Sequence, residues 1–503
     1  MSPDANNVAT WLLGTGAPEA VAILHGEKEV TYAELRNQAG RIGRFLVGAG
    51  CARGDRIAIW SENSPFFVAA YLGIIQAGLV AVPLQLDTPR EELTVLLQRT
   101  GSRFILTSSL RAEQLRASLS GCGINVASEA EIETGPGAIG HAFRDVDVDS
   151  ELAALMFTSG SEGQPKGVMV SHGNIYSNTQ DIVDYLELTA SDRAMVVLPF
   201  HYCYGLSVLH SHLAAGGSLV INNQFMYPEA VLTDMQERQC TGLAGVPSTY
   251  QILLRKSRFR DLQFPSLRWL QQAGGKLPNP YIREILEALP HVRFFLMYGQ
   301  TEATARLSFL PPERLHDKLG SIGRGIPSTK LEVLRPDGTP VEPGSDEVGE
   351  IVATGENITR GYWNDPGETS RYFRNGRLHT GDLARVDVDG FIFIVDRERD
   401  LIKSGGNRVS AKEVEDVIAE MPEVVEVAVV GVPHAILGEA IVAFVAQTPA
   451  HHLTMEDVLR HCGGRLPASR RPKSVRFLEA LPHSGRGKVA KAKLREMAAE
   501  AFA

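Results

Sequence analysis

The chain has 503 residues, 44% hydrophobic and 22% charged, a globular composition that excludes disorder and fibrous repeats. At about 150 residues per domain, it holds roughly two to four domains. Lys and Arg number 50 against 59 Asp and Glu, a net charge of -9, so no global field draws the chain to nucleic acid or an anionic membrane. Cys51, Cys122, Cys203, Cys240 and Cys462 are odd in number and share no metal-type spacing, which fits thiols in a reducing compartment. The opening MSPDANNVATW has no basic segment followed by an apolar one, so a cytoplasmic protein is expected.

Residues 66–84 carry no charge and are long enough for a membrane span, but Gln76, Gly78 and Pro83 interrupt them. Ser64-Pro65 reads as a helix start, Gly78 as a stop and 79–84 as a short buried strand, so a core helix followed by a core strand is expected. Strand-like runs at 57–60, 104–107, 152–157, 195–198, 218–221, 242–246 and 292–297 alternate with helical periods. That alternation predicts doubly wound parallel sheets. From about Ile326 the strands shorten and are split by turns at Pro336-Asp337-Gly338 and 387–390, as in antiparallel β-structure. Past residue 399, Val414, Val417, Ile418 and Met421 mark a helix over 411–421, and 424–432 reads as a strand. The expected organisation is a large domain over 1–398 and a small α+β domain over 399–503, joined through Asp396-Arg397-Glu398-Arg399-Asp400.

Four segments carry chemistry. Thr158-Ser159-Gly160-Ser161-Glu162-Gly163-Gln164-Pro165-Lys166-Gly167 follows a buried strand and offers glycines, hydroxyls and a lysine that can wrap a polyphosphate, without the Gly-Lys-Ser/Thr of a Walker loop. Tyr298-Gly299-Gln300-Thr301-Glu302 sits after a strand, where ligands bind in open α/β sheets. His379-Thr380-Gly381-Asp382 places a carboxylate after a tight turn. Ser484-Gly485-Arg486-Gly487-Lys488 presents one lysine on a loop near the C-terminus.

In this order and spacing the four segments resemble the AMP-forming adenylate enzymes: acyl-CoA synthetases, luciferases and adenylation domains. The likeness runs from Thr31-Tyr32 to Lys488 and includes Gly349-Glu350-Ile351, Gly361-Tyr362-Trp363 and Lys403-Ser404-Gly405-Gly406. The resemblance implies two doubly wound α/β subdomains and a β-barrel piece in the large domain, with a small mobile C-terminal domain. It implies an ATP phosphate loop of Thr158, Ser159, Gly160, Ser161, Gly163 and Lys166. Tyr298 would lie beside adenine, with Gly299 and Gln300 also binding the nucleotide, Thr301 at the α-phosphate, and Glu302 on Mg²⁺. Asp382 and Arg397 match the ribose-binding pair. Lys488 matches the catalytic lysine that bridges substrate carboxylate and α-phosphate. Lys403, Gly405 and Gly406 match the face presented for thioester formation, and Arg399 the hinge. His201, Tyr204, Gly274, Gly275 and Lys276 fall where the acyl pocket is expected.

The implied chemistry is activation of a carboxylic acid as acyl-AMP with release of pyrophosphate, then transfer to the thiol of CoA. A separate carrier protein bearing phosphopantetheine is the alternative acceptor, and a non-catalytic nucleotide-binding scaffold a further reading. Lys166, Glu302, Asp382 and Lys488 together speak against the scaffold, which needs none of them. Nothing favours a luciferase-like oxygenase. Glu162 stands where the resemblance leads one to expect a hydroxyl, and His201 follows Phe200 where domains for α-amino acids place Asp. The run from Arg470 to Arg495 holds nine Lys or Arg and one acid, Glu479; a solvated face and a surface for anionic ligands account for it equally.

Overall fold

The computed structural model describes residues 6–134, 146–158, 165–397, 401–434, 436–448, 452–483 and 489–499, with only the backbone at Arg397 and Arg408. Its architecture is a mixed α/β large domain followed by a smaller α+β domain, built on four sheets.

The first sheet runs Asn125–Ser128, Phe104–Thr107, Arg56–Trp60, Val80–Pro83, Leu152–Thr158, Lys166–Ser171. All neighbours are parallel except the last pair, whose register sets Thr158 opposite Lys166. That register brings Thr158 and Lys166 together at the sheet edge. The second sheet has nine strands. Its parallel centre is Arg293–Tyr298, Trp269–Gln272, Gly242–Gly245, Arg193–Val196, Ser218–Ile221 and Val21–His25. Antiparallel partners Lys28–Thr31 and Ser308–Leu310 flank that centre.

The helix Pro65–Gln76 starts at the Ser64 cap, and every one of its residues is buried. A helix packed on all sides has no need of a polar stripe, which is why its sequence reads like a membrane span. Among the described residues no helix is long and apolar enough to cross a membrane. Capping is equally local at Thr31, where the side chain accepts from the Glu34 N–H and Glu34 answers at the Thr31 N–H.

The third sheet is antiparallel, with Thr329–Leu334, Gly349–Gly355, Arg377–Val386, Phe373–Arg374 and Ile392–Arg397. It shares a buried cluster with Tyr298, Ala303 and Leu307, so it lies directly against the end of the second sheet's Arg293–Tyr298 strand. In the C-terminal sheet the order is Asn407–Val409, Ile402–Ser404, Gly438–Gln447, Val424–His434, with Ser474–Leu478 parallel to Gly438–Gln447. Helix Ala411–Ile418 stops one turn before the 421 expected from spacing, because Ala419 and Met421 already turn into the Val424–His434 strand.

Candidate active site

Four pieces of backbone meet at the C-terminal end of the Arg293–Tyr298 strand. Tyr298, the strand's last residue, donates its hydroxyl to the Asp382 carboxylate at 2.6 Å. Asp382 is buried on Arg377–Val386 and stands directly opposite Arg397 in the antiparallel register. Tyr298 stands 84 positions before Asp382 in the sequence, and the packing of the two sheets brings them together.

Gly299 follows, and a Cβ there would lie 1.8 Å from the Ala305 carbonyl oxygen. This close approach folds the chain back after Gln300 into a short 3₁₀ turn, Thr301–Ala303. The turn ends at Thr304 with φ of 65°, an uncommon conformation for a β-branched residue and one that clusters at functional sites. It is held by Thr304 Oγ1 donating to the Asn357 carbonyl at 2.8 Å. Thr359 donates twice to the Glu302 carbonyl, from its N–H at 3.0 Å and its Oγ1 at 2.9 Å. The Glu302 carboxylate accepts the Tyr362 hydroxyl at 2.9 Å. Burial and the facing Glu302 push the Tyr362 phenol far above its usual range, so it stays a donor. Thr301 is buried beside Cys203, with Oγ1 and Sγ 3.3 Å apart.

Lys166 is nearly buried and ion-paired with Glu368, with its ammonium 5.4 Å from the Tyr362 ring centre and 5.3 Å from that of Tyr372. The expected phosphate cation is thus neutralised here by a carboxylate, which Lys166 in turn holds below its usual range. Ser159, Gly160, Ser161 and Gly163 of the loop, together with Glu162, lie outside the described residues. So do Arg399 and Lys488.

On the acyl side, Phe200 is anchored by Asn63, whose Oδ1 accepts from the Phe200 N–H while its Nδ2 donates to the Leu198 carbonyl, both at 2.8 Å. Asn63, just past the Arg56–Trp60 strand of the first sheet, thus ties that sheet's end to the segment leading into His201, a link no sequence signal announced. Tyr204 is buried and donates to the Gln271 carbonyl at 3.1 Å. Gly275 lies on the turn that Gln272 closes by donating to its carbonyl at 2.8 Å, and Gly274 has φ of 89°.

Lys276, expected in the acyl pocket, pairs with Asp416 of the C-terminal domain at 2.5 Å while its side chain stays partly exposed. The same face adds Tyr281, donating to the carbonyls of Val424 and Val425 at 2.9 and 3.0 Å. Asp396 also binds across the junction, accepting from Ser410 Oγ and the Ala411 N–H, each at 3.0 Å. Burial raises the Asp416 carboxyl, and the ammonium of Lys276 opposes that shift. Because both side chains keep about a quarter of their exposure, the pair falls between the surface and buried limits, about 1–3 kcal/mol. Lys276→Met is expected to speed amide exchange over Ala411–Ile418 about tenfold or more. The double reversal Lys276→Asp with Asp416→Lys should restore it. Exchange unchanged in Lys276→Met would remove the pair from domain docking.

The AMP-binding enzyme family model matches residues 14–363, and the AMP-binding enzyme C-terminal domain model matches 413–488. The chain belongs to the AMP-binding enzyme family. It is 34% identical to a feruloyl-CoA synthase from Amycolatopsis over 95% of this chain and 96% of that protein. To a long-chain-fatty-acid–CoA ligase of Mycobacterium tuberculosis it is 30% identical, over 97% of both chains. The ATP-bound structure of MatB from Rhodopseudomonas palustris superposes with a TM-score of 0.88 at 29% identity, covering 99% of this chain and all of that one. The apo structure of that same protein, at 30% identity and with 99% and 100% covered, reaches 0.78. As a member of the AMP-binding enzyme family with full-length acyl-CoA ligase relatives, the chain is an AMP-forming acid–thiol ligase, with ATP and Mg²⁺ serving the reaction and CoA as cosubstrate.

The donor set fits a magnesium site of the family's kind. Among the described residues no three His, Cys, Asp or Glu gather as a protein cage. A single carboxylate at Glu302 suits Mg²⁺, which is usually held by one or two carboxylates plus substrate phosphates. Of the residues missed by sequence reading, Tyr362 lay in a quoted segment, whereas Asn63, Glu368 and Asp416 gave no signal.

Proposed function

We propose that Tyr298, Gly299 and Gln300 border the adenine, that Asp382 and Arg397 take the ribose hydroxyls, and that Thr301 donates to the α-phosphate. The contact that carries this reading is Tyr298 to Asp382, because it sets a ring and a ribose-type carboxylate side by side next to Thr301 and Glu302. Glu302 would hold Mg²⁺, which when bound neutralises phosphate charge as pyrophosphate departs. Thr158, Ser159, Gly160, Ser161 and Gly163 supply donors to the β- and γ-phosphates. Lys166 joins them by exchanging Glu368 for phosphate. Lys488 neutralises the charge that builds up between the acid's carboxylate and the α-phosphate. This positioning of two anions is most of the catalytic task, since the carboxylate itself is the nucleophile and AMP the later leaving group.

The division falls near residue 398, with Arg399 as the hinge about which the C-terminal domain turns. Lys403, Gly405 and Gly406 then face the site for thiol attack. Gly405 and Gly406 have φ of 55° and 80° at the tip of the Ile402–Ser404/Asn407–Val409 hairpin. The acceptor is free CoA rather than a carrier protein, as the relatives' names support.

A hydroxamate-trapping assay over a carboxylate panel, followed by thioester formation with CoA or with a phosphopantetheinylated carrier protein, tests the assignment. The expected result is turnover with CoA. Exclusive use of the carrier protein would replace the acceptor, and nucleotide binding without pyrophosphate exchange for any acid would reinstate the scaffold.

A further inference from the structure

Arg306 is 1% exposed and forms no ion pair with any carboxylate among the described residues. Its partners are neutral. Nε donates to the Tyr185 hydroxyl at 3.0 Å, Nη2 reaches Gln271 Oε1 only at 3.5 Å, and the guanidinium lies 5.0 Å over the Tyr204 ring. Tyr185 passes its own proton to the Met297 sulfur at 3.1 Å, so no anion stands behind it. Gln271 is also 1% exposed, and its Nε2 has no hydrogen-bond partner among the described residues.

A buried charge is normally paired, and a buried amide normally bonded, because burial without a partner is costly. Here a buried cation has only neutral acceptors, and the amide nitrogen of its neighbour Gln271 has no acceptor among the described residues. They lie where the acyl segments converge. Tyr204 belongs to the His201–Tyr204 stretch, Gln271 is two residues before Ala273-Gly274, and Thr304 and Ala305, which line the cavity beyond Cys203, lead straight into Arg306. Its backbone is fixed, with Asn178 accepting from the Arg306 N–H at 3.1 Å and Asn178 and Asn357 donating to its carbonyl at 2.9 and 2.7 Å.

We propose that Arg306 and Gln271 form the far end of the acyl site and accept a second carboxylate on the substrate, so that the enzyme activates a dicarboxylic acid. This rests on the ligase reading above and deepens it. One carboxylate is adenylated, and the other pairs with the guanidinium in the bidentate geometry that Arg favours, with the Gln271 amide as a further donor. A site built to bind a buried polar group strongly rejects an analogue lacking it, because its own donors are then left unpaired.

The test compares matched acids, adipate against hexanoate and isophthalate against benzoate, in pyrophosphate exchange and in calorimetric binding to the full chain. The intact protein is expected to prefer the diacid by about 10²-fold or more. In Arg306→Met that ratio should collapse toward one, while Arg306→Lys keeps part of it and Gln271→Leu lowers it less. A monoacid preferred by the intact protein, a distal hydroxyl outranking the carboxylate, or a ratio unchanged in folded Arg306→Lys and Gln271→Leu would each overturn the proposal. Calorimetry separates the two readings. Diacid binding that depends on Arg306 without pyrophosphate exchange would sink the ligase role and leave this site standing; exchange with no diacid preference would do the reverse.

Discussion

Lys488→Ala is expected to slow acyl-adenylate formation by about 10²-fold or more, roughly 3 kcal/mol, the scale of losing one preorganised donor at a site of developing charge. Thiol attack on a presynthesised acyl-adenylate should be almost unaffected, because in the proposed alternation the C-terminal domain turns for that step and presents Lys403 with Gly405-Gly406 instead. The described residues on either side of 484–488 are tied together. His483 and Val489 form an antiparallel bridge, and His483 Nε2 meets the nearly buried Glu426 carboxylate at 2.9 Å. The hydrogen bond to Glu426 raises the imidazole above its usual value despite burial. A raised folded value means the clamp is complete below the unfolded imidazole's pH range and is lost as pH rises through the folded value. Adenylation should therefore weaken on the alkaline side, and Glu426→Gln should remove that dependence. Arg399→Pro should act in the opposite sense from Lys488→Ala, sparing adenylation and slowing thioester formation by restricting φ at the turn between the two domain positions. Single-turnover measurement of each half-reaction decides. Equal losses in both steps for Lys488→Ala would refute domain alternation about Arg399 and leave Lys488 with a structural role.

Gly299→Ala is expected to be the most damaging single-methyl change in the nucleotide site. The new Cβ would meet the Ala305 carbonyl oxygen at 1.8 Å, its carbon at 2.8 Å and the Arg306 Cα at 3.0 Å. All three are backbone atoms, so no side-chain rotation relieves the overlap. Overpacking of this kind costs about 1–3 kcal/mol or more. The strain falls on the segment that holds Thr301, Glu302 and the positive-φ Thr304. A displacement of about 1 Å there would cost about 10²-fold in rate. Thermal unfolding should move down by several degrees, and pyrophosphate exchange should fall far more than the loss of folded protein explains. Activity within a factor of two of the parent would show that the Gly299–Ala305 approach is not needed for nucleotide handling.

Much of this protein is written locally. Ser64-Pro65 starts a helix because a hydroxyl cap and a proline at the first turn satisfy the free backbone groups there. The run 218–221 is a strand because four buried side chains in succession suit a covered parallel sheet. The turns at Gly338 and Gly390 follow from positive φ, at 84° and 79°. Family and reaction were legible for a related reason, since they are carried by short segments whose order and spacing survive in one dimension.

What the sequence could not decide was partnership. Lys166 and Lys276 are solitary cations in the string, and only the packing of distant elements assigns them Glu368 and Asp416. Val21–His25 joins the second sheet beside Ser218–Ile221, nearly 200 positions away, and nothing in its own five residues says so. Arg306 reads as an ordinary charged residue at the start of a short strand until the fold encloses it with Tyr185, Tyr204 and Gln271. Local order is set by capping, turn geometry and hydrophobic period, all of which act within a few residues. Counterions and buried donors are set by which surfaces the tertiary structure brings to within hydrogen-bonding distance, and that is determined by the whole core at once.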